Sequence, residues 1–273
     1  MQATDHKTYA GACDCHVHIY EDRYPLIPNV AVIPPHSPVS AYRAVQQALG
    51  LERVVIVQPT GYGFDNRCTL AALAELGDSA RGIALIAPDA PDAEIQRLHE
   101  GGMRGVRYMM LGGLLPWDSL EPMAARLANF GWMVNLQLDG RKLPDHEEVL
   151  KRLPCQLVID HNGKFLEPVS PDHASFQSLL RVLDAGRAWV KLSAPYETSQ
   201  TGAPGYDDVS LLARTLAEKF PERCLWASNW PHPGRKPAPS NLDLYELLFS
   251  WTGSDAARQK ILVDNPAQLY GFR

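Results

Sequence analysis

Eight short apolar runs punctuate this chain, at residues 9–20, 52–58, 82–87, 104–108, 132–138, 155–161, 187–193 and 223–228. Segments with helical spacing of apolar residues separate them, at 38–49, 68–76, 91–100, 120–130, 146–153, 172–185 and 206–220. Runs that are apolar on both faces suit strands buried on both sides, and parallel strands need helical crossovers between them. Eight strand-helix units close on themselves, so the predicted fold is α/β, a (β/α)8 TIM-like barrel. The 273 residues suit one such barrel, which takes about 250, and further helices from 242 and 255 complete its outer ring. We read 1–273 as a single domain; no stretch looks like a linker or an internal repeat.

Composition narrows the function classes. The net charge of −5 argues against non-specific nucleic-acid binding, so an anionic substrate must meet local cations. Five cysteines, an odd number without a C-x-x-C pair, read as reduced thiols of a cytoplasmic protein. The first seven residues hold no apolar signal core, and no run is long enough to span a membrane. Nothing in the sequence specifies an oligomeric state.

In such a barrel chemistry gathers where strands end at their C-terminal rim. The first run holds Asp14-Cys-His-Val-His18, whose alternation sets Asp14, His16 and His18 on one face. An H-x-H pair alone suits metal ligands, anion donors or solvent-facing side chains. Its weight comes from what the other strands bring to the same rim. Tyr62 follows the second strand, Arg107 and Tyr108 the fourth, and Gln137 and Asp139 the fifth. Asp160, His161 and Lys164 follow the sixth, Lys191, Ser193 and Tyr196 the seventh, and Asn229, Trp230 and His232 the eighth. Prolines at 25, 28, 34, 35 and 38 make about 21–40 an irregular rim loop, long enough to cover the mouth.

Asp14-Cys-His-Val-His18, Gly102-Met-Arg-Gly-Val-Arg107, Ile159-Asp-His161, Val190-Lys-Leu-Ser193 and Leu225-Trp-Ala-Ser-Asn-Trp-Pro-His-Pro233 together resemble the amidohydrolase superfamily. Within it the chain is similar to the branch of metal-independent lactonases and lactone isomerases that act on 2-pyrone-4,6-dicarboxylate and on sugar-acid lactones. Hydrolases of this superfamily carry Asp immediately before Trp-Pro-His, where this chain has Asn229. An amide cannot take a proton from water near neutral pH. The lactone isomerases share that Asn, and the runs 132–134, 137–140, 161–165 and 196–199 resemble theirs.

The resemblance therefore implies an enzyme that converts an aldarate 1,5-lactone into the 1,4-lactone by intramolecular acyl transfer. Alternatives are a metal-independent lactonase with Asp replaced by Asn at 229, a metal-dependent decarboxylase, and a non-catalytic sugar-acid binding protein. On the first reading His16, His18, His161 and Asn229 are catalytic. Arg107, Lys164, Lys191, Tyr196, Tyr62, Gln137 and His232 bind a small anionic lactone, while Asp14 and Asp160 orient imidazoles. No metal is required, since the anionic ligand of strand eight is missing; adventitious zinc on His16 and His18 is the alternative.

Overall fold

A computed structural model describes residues 7–30 and 32–272. Residues 1–6, part of the leaderless N-terminus expected above, lie outside the described residues, as do 31 and 273. The strands are β1 (Cys13–Val17), β2 (Arg53–Val57), β3 (Ala80–Ala84), β4 (Met103–Met109), β5 (Met133–Gln137), β6 (Gln156–Ile159), β7 (Ala188–Leu192) and β8 (Cys224–Trp226). All pair in parallel in sequence order. The circle closes where His18 N donates to Trp230 O at 2.8 Å and Asn229 N to His16 O at 3.0 Å.

The crossovers are α1 (Val39–Leu49), α2 (Arg67–Leu76), α3 (Asp92–Glu100), α4 (Leu120–Asn129), α5 (Leu143–Arg152), α6 (Ala174–Asp184) and α7 (Asp207–Lys219). After β8 come α8 (Asn241–Trp251), α9 (Asp255–Gln259) and α10 (Asn265–Tyr270). No helix among the described residues is long and apolar enough to cross a membrane.

Two apolar clusters sort the core by the alternation of strand side chains. The larger lies between sheet and helices; the smaller fills the barrel's lower interior with Cys13, Cys15, Val55, Val57, Ile83, Met133, Val158, Trp189, Leu225 and Ala227, floored by Tyr270 and Phe272. Gly105 is required in that interior. A Cβ there would stand 2.6 Å from Met133 Cγ and 3.0 Å from Ile83 Cδ1.

The interior stays apolar only up to the level of β1's midpoint. Cys13 and Cys15 point inward, yet so does His16, because the register of β1 against β2 slips between Asp14 and Val17. Such a bulge turns the following side chains to the other face. The expectation that Asp14 shares a face with His16 and His18 is therefore corrected. Asp14 points outward, where it accepts from Tyr42 Oη of α1 at 3.1 Å, Ser228 Oγ at 2.5 Å and Ser228 N at 2.9 Å.

Among its described residues, the proline-rich segment after β1 forms no helix or strand before α1 begins at Val39. Its ends are pinned by paired hydrogen bonds between Tyr20 and Ser37, at 3.0 and 2.7 Å. Val30, Val32 and Pro34 from this loop then form one wall of the cavity at the barrel mouth.

Candidate active site

The interior of the barrel above its apolar floor holds a buried ammonium. Lys191, inward on β7, is fully buried; it donates to Asn135 Oδ1 at 2.6 Å, bonds His16 Nδ1 at 3.1 Å and forms an ion pair with Asp160, Nζ to Oδ1 3.1 Å, whose carboxylate oxygens have no hydrogen-bond partner among the described residues. Burial alone would raise the Asp160 carboxyl, but the charge on Lys191 holds it well below the usual range. Burial lowers Lys191 in turn, against the opposing pull of Asp160.

Hydrogen-bond accounting assigns the neighbouring imidazoles. His18 Nδ1 lies 2.7 Å from Val57 O, and a carbonyl only accepts, so Nδ1 carries the proton. Burial drops His18 to about 3 and His16 well below its ordinary value, so both rings are neutral at pH 7. His18 Nε2 is thus an acceptor, and the proton between it and His16 Nε2, 3.2 Å away, belongs to His16. That leaves His16 Nδ1 to accept from Lys191. All four ring nitrogens are occupied, and although His18 borders the cavity, a substrate atom bonds its Nε2 only in place of His16. Free acid–base work by these two residues, as expected from the sequence, does not fit this pattern.

His161 differs. It follows β6 in a run where His161, Asn162, Gly163 and Lys164 all have left-handed backbone, with φ of 53°, 56°, 90° and 49°. Each non-glycine residue held there costs about 1–2 kcal/mol. The bond from Asn162 Nδ2 to Ser193 O, 2.9 Å, helps to hold the turn, which sets both His161 and Lys164 against the cavity. His161 Nδ1 lies 2.8 Å from Ser193 Oγ, a group that can donate or accept. Burial keeps the ring neutral, and Nε2 is its uncommitted nitrogen.

The cavity measures about 230 Å³ and is lined by His18, Arg107, Gln137, His161, Lys164, Glu197 and Asn229 together with apolar residues of the rim. Arg107 Nη1 donates to Gln58 O at 3.2 Å, while its buried Nε has no hydrogen-bond partner among the described residues. Burial lowers Lys164 to about 8. The Lys164 ammonium is paired with Glu197, in the turn after β7.

Glu197 received no role from the sequence. Its signal was its place beside Tyr196 in a β7 rim loop, masked by the more distinctive tyrosine. The carboxylate also accepts from Asn229 Nδ2 at 3.1 Å.

Several expected binding residues instead hold the wall from behind. Asn229 Nδ2 donates to Tyr196 Oη at 2.9 Å, Tyr196 bonds His232 Nδ1 at 2.9 Å, and His232 Nε2 bonds Asn241 Oδ1 at 2.9 Å. Burial lowers His232 to about 4, so its neutral ring passes this chain of donors in one direction. Tyr62 turns its hydroxyl to the backbone of Glu21, at 2.9 and 3.2 Å, and lines a separate depression under the rim loop. Lys191 does not line the cavity and is committed to Asn135, His16 and Asp160. Asp160 does face an imidazole, with Oδ1 3.4 Å from His16 Nδ1, whereas Asp14 bonds His16 only at its backbone N, 3.2 Å away.

His16, Asp160 and His161 could each offer one atom to a metal ion, all within 4.8 Å of one another. These residues fit a divalent cation poorly. The ammonium of Lys191 already stands 3.1 Å from both the carboxylate and the His16 nitrogen such an ion would use.

The chain resembles known proteins along almost its whole length. It is 35% identical over 266 residues to D-galactarolactone isomerase of Agrobacterium fabrum, covering 95% of this chain and 91% of that one. It is 34% identical over 278 residues to 2-pyrone-4,6-dicarboxylate hydrolase of Comamonas testosteroni, covering 97% and 91%. A crystal structure of an Agrobacterium tumefaciens protein in its apo form superposes with a TM-score of 0.91 at 35% identity, over 96% of each chain. With the amidohydrolase family model matching residues 13–272 as well, this barrel belongs to the amidohydrolase family, among enzymes that act on lactones.

Proposed function

We propose that this enzyme isomerises an aldarate 1,5-lactone to the 1,4-lactone, with no water consumed and no metal required. The observation that carries the reading is the setting of Asn229. Its Nδ2 faces a phenol oxygen and a carboxylate, an environment that calls for a donor. A carboxylate in its place would confront Glu197, so an amide suits this position and a water-activating base does not. The reading gains support from the isomerase relative at 35% identity; the lactone hydrolases among the relatives support the lactonase alternative equally at the level of the substrate ring.

On this reading Arg107 and Lys164, the two cationic side chains in the cavity wall among the described residues, hold the substrate's carboxylate. Gln137 and Asn229 meet hydroxyls. His161, oriented by Ser193, presents Nε2 to the lactone carbonyl as negative charge develops on its oxygen. The rim loop limits access of water, which would divert the acyl group to the open-chain acid.

Proton NMR of the enzyme with D-galactaro-1,5-lactone tests this. The 1,4-lactone should accumulate ahead of the open-chain acid, at a rate unchanged by chelator. Open-chain acid as first product would make the enzyme a lactonase, and loss of activity with chelator would overturn the metal-free reading.

A further inference from the structure

Acyl transfer between two hydroxyls of one molecule needs a group to take the proton of the attacking oxygen and to return one to the departing oxygen. When the C4 hydroxyl attacks a 1,5-lactone, those two oxygens stand on adjacent carbons. One carboxylate with two oxygens can serve both. Among the described residues that line the cavity, Glu197 is the one carboxylate. Its side chain is 17% exposed, with Oε1 accepting from Asn229 and Oε2 paired with Lys164. An ammonium in contact holds a carboxylate in its ionised form and makes it a weak base. The same ammonium is one of two cations that line the cavity, so a substrate carboxylate competes with Glu197 for it.

We propose that Glu197 is the proton-transfer group of the reaction, and that the substrate's own carboxylate arms it by drawing Lys164 away. The inference rests on the isomerase reading given above. Glu197 takes the proton of the C4 hydroxyl as that oxygen bonds C1, and the carbonyl π pair moves onto the carbonyl oxygen. As the carbonyl re-forms, the bond from C1 to the ring oxygen breaks, and its electron pair stays on that oxygen. Glu197 then returns its proton there. Nothing is oxidised or reduced, and the enzyme ends as it began. A lactone lacking the second carboxylate leaves Lys164 on Glu197 and reacts slowly.

The test is Glu197→Gln, with kcat measured on D-galactaro-1,5-lactone and affinity for the non-reacting galactarate dianion measured by calorimetry. Expected is a kcat lower by about 10²-fold or more, with galactarate bound more tightly because the amide releases Lys164. Glu197→Asp, which keeps the carboxylate, should recover part of the rate. A kcat loss below about tenfold in Glu197→Gln, roughly 1.4 kcal/mol, overturns the proton-transfer role; galactarate affinity equal to wild type overturns the exchange at Lys164. If wild-type enzyme itself does not isomerise the lactone, the reaction reading fails and the proton-transfer role with it. Tighter galactarate binding by Glu197→Gln would then still establish the exchange.

Discussion

Lys191 Nζ and Asp160 Oδ1 lie 3.1 Å apart, and neither side chain has any exposed surface. Removing one member of such a pair leaves an uncompensated buried charge, which costs about 3–5 kcal/mol. Lys191→Met should therefore lower the free energy of unfolding by about that much, measured in urea. The double variant with Asp160→Asn should lose clearly less than the sum of the single losses. Additive losses would show that the two charges do not depend on each other.

Asn229→Asp places a second carboxylate against Glu197. Isomerisation should fall by about tenfold or more, and the product ratio read by NMR should shift toward open-chain acid as the new carboxylate recruits water. An unchanged ratio would mean that the residue at 229 does not decide whether water enters the reaction.

Arg107→Lys keeps the charge and loses the planar fork. A hydrogen bond to a charged group contributes about 1.5–3 kcal/mol, so KM for the lactone should rise by roughly 10-fold to 150-fold with kcat less affected. A fall confined to kcat would place Arg107 at the reacting carbonyl instead of the remote carboxylate.

Lys164 titrates at about 8 because it is buried. It is charged below that value and neutral above, so galactarate affinity should hold between pH 6 and 7 and weaken as pH rises through about 8. Calorimetry across this range checks it. Lys164→Arg, whose guanidinium stays protonated, should abolish the break. The buried histidines are already neutral, with His18 at about 3, and should add no break near pH 6.5.

Much of this architecture is visible in one chain. Each apolar run became a strand, and His18, Arg107, Gln137, His161, Lys164 and Asn229, from the ends of five of them, line one cavity, because parallel barrel strands share a direction. The pattern failed at Asp14, where strict alternation put the carboxylate beneath two histidines, whereas a one-residue slip after it turned His16 inward and left Asp14 facing Tyr42. A bulge leaves no mark in hydrophobic period. It failed again at Glu197, Tyr196 and His232, since residue type shows what a side chain can do but not what it already bonds. Lys191 reads as a substrate cation until its bonds to Asn135 and His16 and its ion pair with Asp160 are found.

That buried lysine has a further consequence. An ion at the heart of a site must be acquired, can be exchanged for the wrong one and varies with supply. A cation carried on the backbone is delivered at translation, one per molecule, and holds its position as long as the barrel is folded. The charge that organises His16, Asp160 and Asn135 is thus inherited with the sequence and is not exchanged with the medium as an ion is.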